Sequence, residues 1–275
     1  MCKKVSIIIM KKVLLSACLV CFAIGTANAQ FGKLNPKKIE AGLKAASAFT
    51  VSDEDIAQSA AASVKWMDEN NPVCSVKDKD PKKKAYAERL ERIFGPYKNY
   101  DGLNLNYKVY YVTDVNAFAC PDGSVRVFSS LMDIMTDDEL LGIIGHEIGH
   151  VKLEHSKKAY RQTLITEAAV QFAGSTQGTV GDLMKSNLGG MAEKLTGAQF
   201  SQSQESDSDD YSYKFLVANG KNPQALADGF KKFADMEKEY GADKSMGSKM
   251  FSSHPDSEKR AKRVEEKIKK DAKKK

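Results

Sequence analysis

The sequence has few cysteines, few histidines and only one long hydrophobic run. Of its five cysteines, Cys2, Cys18 and Cys21 lie near the start, which leaves Cys74 and Cys120 for the folded part. This number excludes a small disulfide-rich scaffold and disfavours a structural zinc site, which usually draws on cysteine ligands. After the first run no apolar stretch reaches the roughly 20 residues of a membrane-spanning helix, so none is expected in the mature protein.

The start of the chain has the features of a secretory signal. Met10-Lys11-Lys12 precedes an apolar run over residues 13–25, and Ala27-Asn28-Ala29 offers a cleavage site of small residues. We therefore predict cleavage after Ala29 and a periplasmic mature protein. The alternative is a lipoprotein signal, Leu15-Ser16-Ala17-Cys18, in which Cys18 would carry a lipid anchor, although its apolar region is shorter than usual.

Two further predictions concern the cysteines and the net charge. An even pair in an oxidising compartment favours a disulfide between Cys74 and Cys120, with two buried thiols as the alternative. The formal charge of +6 comes partly from lysines in the signal and in the segment 267–275. Because no basic stripe is interleaved with aromatic residues, we expect a solvated tail and no nucleic-acid partner.

The hydrophobic periodicity predicts an α+β protein that is mainly helical. A period of two indicates strands at 107–112, 117–120 and 125–128, with Pro121-Asp122-Gly123 as a tight turn. Apolar residues at helical spacing indicate helices at 36–70 (one or two, the second capped by Ser52), 85–94, 136–158, 192–220, 224–240 and 255–270. Gly142, Gly145 and Gly149 lower the helix propensity of the segment 136–158, so we expect other elements to approach this helix closely at these positions.

The strongest chemical motif is His146-Glu147-Ile148-Gly149-His150. A spacing of four places both imidazoles on one helix face, where they can bind one metal ion, and the intervening glutamate then faces the water on that ion. A zinc ion would acidify this water, and Glu147 could take its proton as a general base. The motif therefore predicts a metal-dependent hydrolase.

A catalytic zinc needs a third protein ligand besides the two histidines. His155 lies five residues past His150 and should turn away on the same helix, so it is expected at the surface or behind the ligands. The acidic cluster that follows offers four carboxylates, and spacing alone does not choose among Glu205, Asp207, Asp209 and Asp210.

Several motifs in order resemble one enzyme family. They are Asn116-Ala117-Phe118, Pro121-Asp122-Gly123, Ser130-Leu131, Asp138-Glu139-Leu140, the H-E-x-x-H motif, Glu205-x-x-Ser208-Asp209, and Ser253-His254-Pro255 with Arg260. Together they resemble the zinc metallopeptidases related to the CAAX prenyl endopeptidase and HtpX. The resemblance implies a zincin-like domain with a small β-sheet beside the H-E-x-x-H helix. Ser208 stands where that family usually has alanine.

The resemblance also implies roles for individual residues. His146, His150 and Glu205 would hold one Zn2+ per chain, and Asp209 would orient a metal-bound histidine. His254 would lie near the metal, either as a donor to the oxyanion or in the open metal position, and Arg260 would support it. Residues Asn116, Ala117 and Phe118 would form an edge strand that binds polypeptide substrates by strand addition.

These expectations give a domain plan and two functions. We divide the chain into a signal peptide (1–29), an N-terminal helical region (30–98), a zinc metallopeptidase domain (99–265) and a Lys-rich tail (266–275). The first function is a zinc metalloendopeptidase acting on misfolded or misassembled cell-envelope proteins. The second is a chaperone-like envelope assembly factor with a gated or idle zinc site. Either leaves room for association with the outer membrane or its assembly machinery.

Overall fold

The computed structural model describes residues 51–174, 187–240 and 248–274. The expected signal peptide, its cleavage site after Ala29, the alternative anchor at Cys18 and the first part of the 36–70 helical region lie outside the described residues. In the described part, no helix is both long and apolar enough to cross a membrane.

Helices dominate the fold, and a small sheet completes it. The strands are β1 (Val73–Cys74), β2 (Asn106–Tyr110), β3 (Ala117–Ala119) and β4 (Ser124–Phe128), and a 3-10 turn covers Gly95–Tyr97. The helices are α1 (Asp53–Asn70), α2 (Pro81–Phe94), α3 (Ser129–Ile134), α4 (Asp137–Lys152), α5 (His155–Gly174), α6 (Leu188–Thr196), α7 (Gln202–Ala218), α8 (Gln224–Tyr240), α9 (Ser248–Ser253) and α10 (Ser257–Ala272). The predicted fold class is confirmed.

The sheet has the strand order β1-β2-β4-β3. Strands β2 and β4 are parallel, whereas β1 and β3 pair antiparallel with them. The predicted turn joins β3 to β4: the N–H of Gly123 donates to the Cys120 carbonyl at 2.9 Å, and Gly123 has a φ of 85°. Strand β3 therefore lies at one edge of the sheet, as the resemblance implied.

The predicted disulfide between Cys74 and Cys120 is not formed, and both residues are buried free thiols. Cys74 belongs to β1 and Cys120 directly follows β3, so the two lie at opposite edges of the sheet. Three strand spacings of about 4.8 Å separate those edges by about 14 Å. A disulfide requires Cα atoms within about 7 Å, so this fold does not allow the bond.

Helix α4 carries the H-E-x-x-H motif through the centre of the protein. Its start is the predicted capping box, in which the hydroxyl of Thr136 accepts from the Glu139 N–H while the Glu139 carboxylate accepts from the Thr136 N–H. The expected close approaches at its glycines are confirmed. A Cβ built on Gly149 would lie 3.2 Å from the Cα of Ser208 in α7, and one on Gly142 would lie 3.2 Å from the Cα of Leu226 in α8.

Several helix boundaries differ from the prediction. Helix α2 begins at Pro81 and not at Ala85, because Asp80 caps it and Pro81 occupies its first turn. Helix α4 ends at Lys152 and not near 158, because Glu154 adopts a left-handed φ of 60° and α5 begins at His155. The expected helix 192–220 is two helices, since Gly197 caps α6 and Ser201 opens α7 with its own capping box. The last helix begins at Ser257 and not at Pro255.

Two hydrophobic clusters hold these elements together. One surrounds α4 and one face of the sheet, and it includes Leu140, Ile144, Val127 and Phe215. The other joins α1, α5 and α6 to the sheet through residues such as Ile56, Phe118, Tyr160 and Leu195. Strand β3 lies between the two clusters, since Ala117 belongs to the first and Phe118 to the second.

Candidate active site

The structure brings the three expected metal ligands together from two helices. The Nε2 atoms of His146 and His150 lie 3.1 Å apart on one face of α4. From α7, the Glu205 carboxylate lies 3.2 Å from Nε2 of His150 through Oε1 and 3.5 Å from Nε2 of His146 through Oε2. All three side chains are buried.

These separations fit a zinc ion. Bonds of about 2.0–2.1 Å in a tetrahedral site place neighbouring donor atoms about 3.3 Å apart, close to the separations seen here. Burial holds the pKa of His150 well below its usual value, which keeps the imidazole in the neutral, metal-binding form. For Glu205, burial alone would raise the pKa, but electrostatic interaction with the neighbouring His146 and His254 and hydrogen bonds with His150 and His254 outweigh it and lower the pKa, so the carboxylate stays ionised.

The other acidic residues of the cluster take different places on α7. Asp209 is buried one turn beyond Glu205 on the same helix face, whereas Asp207 is exposed. Asp210 is half-buried and pairs with Lys267 at 2.9 Å. Because of the rotation of α7 about its axis, Glu205 is the carboxylate of this cluster that contacts both His146 and His150.

Glu147 lies beside the ligands with an unused acceptor atom. Its side chain is buried, and Oε1 has no hydrogen-bond partner among the described residues. Nε2 of His254 lies 3.5 Å from this atom. Burial raises the pKa of the Glu147 carboxyl, which makes it a stronger base than an exposed glutamate. A buried carboxylate next to three metal-binding side chains, with one oxygen that makes no hydrogen bond to a described residue, can accept a proton from water.

Asp209 and Arg260 form a buried ion pair behind the ligands. Oδ1 of Asp209 lies 2.9 Å from Nδ1 of His146, so the carboxylate holds the second nitrogen of that ring. Arg260 contacts the two Asp209 oxygens at 2.6 and 3.1 Å and Oε2 of Glu205 at 2.7 Å. Its guanidinium also lies 4.0 Å above the ring centre of Phe230. The pair connects α10 to both ligand-bearing helices.

His254 is a fourth side chain that could hold the metal ion, beside His146, His150 and Glu205. Its Nδ1 atom lies 3.2 Å from Nε2 of His146 and 3.1 Å from Oε1 of Glu205. One donor atom each from His146, His150, Glu205 and His254 lies within 4.8 Å of the others. Burial lowers the pKa of His254, but the carboxylates of Glu147 and Glu205 outweigh it and raise the pKa.

His155 takes the second of its two expected places, behind the ligands. It is buried, with its Nδ1 atom 3.2 Å from Nδ1 of His150, because the break after α4 turns it back toward the ligand. One contact was not foreseen from the sequence. Phe200 stacks on the ring of His150 with centroids 3.8 Å apart. The sequence did contain one signal for this contact. The capping box at Ser201 marks the start of a new helix, so Phe200 had to lie in the loop just before it.

The expected substrate strand borders the site. Ala117 and Phe118 belong to β3, and they line the same cleft as Glu147 and His254. Asn116 precedes the strand and is buried; its carbonyl accepts the N–H of Phe128 at 3.0 Å, while its side-chain Nδ2 has no partner among the described residues. The edge of β3 thus lies beside the candidate base.

Comparison with known proteins agrees with this geometry. The model of peptidase family M48 matches residues 83–268, a segment that contains all of these ligands. The chain belongs to peptidase family M48. Together with its metalloprotease relatives, this membership makes the protein a metalloendopeptidase, and metalloproteases of family M48 use zinc.

Three relatives of this M48 peptidase are informative. It is 39% identical to the metalloprotease LoiP of Escherichia coli over 84% of this chain and 87% of the relative. It is 37% identical to the metalloprotease YcaL of the same organism over 84% of this chain and 86% of YcaL. Its similarity to the β-barrel assembly-enhancing protease of Yersinia pestis is 29% identity over 51% of this chain and 31% of that protein.

Proposed function

We propose that this M48 peptidase binds one zinc ion and hydrolyses peptide bonds of misfolded or misassembled cell-envelope proteins. One observation carries the proposal. Two imidazoles from α4 and a carboxylate from α7 converge at separations of 3.1–3.5 Å, beside a buried glutamate whose Oε1 has no hydrogen-bond partner in the described part of the chain.

In this proposal His146, His150 and Glu205 hold the zinc, and Asp209 keeps the His146 ring in place. When bound, zinc supplies the positive charge that acidifies water and polarises a carbonyl. Glu147 takes the proton from the attacking water and passes it to the leaving amine. Arg260 binds the carboxylates of Asp209 and Glu205 and so fixes their positions relative to each other.

The edge strand supports an unfolded polypeptide as the substrate. A peptide that adds to β3 must be extended, because each of its backbone groups has to meet the strand. Folded proteins seldom expose such a segment, whereas misfolded or unassembled proteins do.

The cell envelope is proposed from the start of the chain and from the relatives. The signal-like segment ending at Ala29 supports export, with the lipid anchor at Cys18 as the alternative. One relative carries β-barrel assembly in its name. We therefore propose a periplasmic enzyme that works with, or near, the outer membrane and its assembly machinery.

The position of His254 favours a gated site as the second candidate function. Its Nδ1 atom lies as close to His146 and Glu205 as the ligand atoms lie to one another. An imidazole there can occupy the fourth position of the metal and exclude water. Such a protein could act as a chaperone-like assembly factor and cleave only after His254 moves away.

Substitution of the base tests the enzyme function. We expect Glu147→Gln to keep its zinc and its fold but to lose cleavage of casein, because the amide cannot accept the proton. Glu154→Gln, at an exposed glutamate, is the matched control and should cleave like the wild type. Equal activity of Glu147→Gln would reject Glu147 as the base, and a wild-type protein that binds zinc without cleaving would favour the assembly factor.

A second variant separates the two roles of His254. If His254 closes the site, His254→Ala should cleave casein faster than the wild type. If His254 stabilises the oxyanion, the same variant should lose about 100-fold or more in rate, as for the loss of one oxyanion donor. Zinc content measured in parallel shows whether the variant still holds the metal.

A further inference from the structure

A small pocket opens beside the candidate base. It has a volume of about 20 Å³ and lies between β3, α5 and α6, with Glu147 and His254 at one end. Its walls are Phe118, Tyr160, Leu195, Thr196 and Ala198, and Phe200 lies at its border. A peptide bound along β3 would place one side chain in this pocket.

The walls of this pocket combine apolar and polar side chains, and they leave little room. The one lysine at its border, Lys194, is paired with Glu167. A volume of about 20 Å³ is close to that of one water-sized sphere, since a single one needs roughly 10–15 Å³ by this measure. A methyl or hydroxymethyl group fits such a space, whereas a leucine or phenylalanine side chain does not.

Tyr160 forms one wall of the pocket, and α1 holds it there. The side chain is 2% exposed. Its hydroxyl hydrogen-bonds with Oγ of Ser59 at 2.9 Å and with Oγ of Ser63 at 3.2 Å. Both serines belong to α1, which precedes the segment that matches the M48 family. The ring therefore cannot swing away without breaking contacts to this helix.

Helix α1 also supports a second wall, which is formed by residues of α6. Trp66 of α1 packs against Gly189 of α6, so closely that a Cβ at this glycine would lie 3.2 Å from the indole ring. Leu195, at the other end of α6, shares a hydrophobic cluster with α1 residues and Tyr160. Two walls of the pocket are thus anchored to one element outside the family segment.

We propose that this pocket selects a small side chain, that of Gly, Ala or Ser, beside the scissile bond and that Tyr160 sets the size limit. The inference rests on the proposed peptidase function, because it describes the substrate of the same site. Tyr160 acts as a specificity residue through its ring, and Ser59 and Ser63 act by positioning that ring.

Cleavage of a peptide series tests the proposal. The peptides share one sequence and carry Gly, Ala, Ser, Leu or Phe at each of the two positions that flank the scissile bond. At one of these positions we expect the wild type to cleave the small-residue peptides about tenfold or more faster than the Leu and Phe peptides. Equal cleavage of Ala and Leu peptides at both positions would overturn the proposal.

Two substitutions of Tyr160 form a matched pair. Tyr160→Leu removes the ring, so the Leu peptide should gain about tenfold relative to the Ala peptide. Tyr160→Phe keeps the ring and loses only the hydroxyl, so the wild-type ranking should remain. A folded Tyr160→Leu protein with the wild-type ranking would contradict the size limit. Should Tyr160→Leu not fold, Ala198→Leu narrows the pocket from a half-buried loop position and should favour Gly over Ala peptides.

Peptide binding to Glu147→Gln separates the two proposals. Fluorescence anisotropy with labelled peptides reports the pocket without any cleavage, and Ala peptides should bind more tightly than Leu peptides. If the Ala peptides bind more tightly than the Leu peptides but the wild type cleaves none of them, the peptidase function is rejected and the size selection by the pocket is supported. Cleavage by the wild type without any size order would reject the pocket alone.

Discussion

His150 and His155 face each other through their Nδ1 atoms at 3.2 Å. A metal-bound histidine usually has its second nitrogen held by a neighbouring acceptor. Asp209 does this for His146, and His155 is the corresponding neighbour of His150. Burial lowers the pKa of His155, which keeps its ring neutral and able to accept the proton of His150.

We therefore expect His155→Ala to bind zinc about 10 to 100 times more weakly, because the His150 ring loses its orienting partner. Competition with a chromophoric chelator measures this affinity. His155→Gln keeps an acceptor and should recover most of the affinity, whereas Lys158→Ala, at an exposed position of the same helix, should not differ from the wild type. Wild-type affinity in His155→Ala would show that the contact does not orient the ligand.

Asp209→Asn tests the buried ion pair. The substitution removes the negative charge that neutralises the buried Arg260 guanidinium. It also weakens the contact that fixes the His146 ring through its Nδ1 atom. We expect the free energy of unfolding, measured by urea denaturation, to fall by about 3–5 kcal/mol. Asp210→Asn is the matched control, because Asp210 is 40% exposed and its surface pairs contribute about 1 kcal/mol or less. Similar losses in both variants would argue against a special role of Asp209.

Much of the site could be predicted because its chemistry needs particular residues at fixed spacing. The spacing of His146 and His150 with the Thr136 capping box predicts both the helix and the shared face. The choice of Glu205 over Asp207, Asp209 and Asp210 needed the family resemblance, because the helix phase relative to α4 depends on packing between distant segments.

The errors have equally specific causes. The end of α4 was missed because no glycine or proline marks it in the sequence. Glu154 adopts a left-handed conformation there although it is not a glycine. The disulfide prediction used only the number and compartment of the cysteines. The order of four short strands, which separates Cys74 from Cys120, is set by tertiary pairing and cannot be read from local sequence.

Asp68 links α1 to the sheet and should make stability depend on pH. Its carboxylate accepts from Nε of Arg126 at 2.8 Å, from Lys108 at 2.7 Å and from the Tyr110 hydroxyl at 2.7 Å. Burial would raise the pKa of Asp68, but these partners outweigh it and lower the pKa. The ionised carboxylate therefore contributes stability that is fully present above its unfolded pKa of about 3.9 and is lost as the pH falls through the lower folded value.

Asp68→Asn should lower the free energy of unfolding at pH 7 by about 3–5 kcal/mol, because Arg126 is 1% exposed and loses its counter-charge. The difference from the wild type should shrink as the pH falls below about 4. Urea denaturation at a series of pH values measures both effects. Glu69→Gln, next to Asp68 but 62% exposed, is the control and should change little. A difference that stays constant across acidic pH would contradict the assignment.

Gly149 sets the distance between the two helices that carry the ligands. In Gly149→Ala the new Cβ would lie 3.2 Å from both Cα and the carbonyl oxygen of Ser208, so α7 must shift by a few tenths of an ångström. Glu205 lies one turn before Ser208, so we expect zinc affinity in a chelator competition to fall by about tenfold, or about 1.4 kcal/mol. Gly142→Ala meets Leu226 of α8 equally closely, yet α8 carries no ligand, so its zinc affinity should stay at the wild-type value. Equal affinities of both variants would show that the ligand geometry tolerates movement of α7.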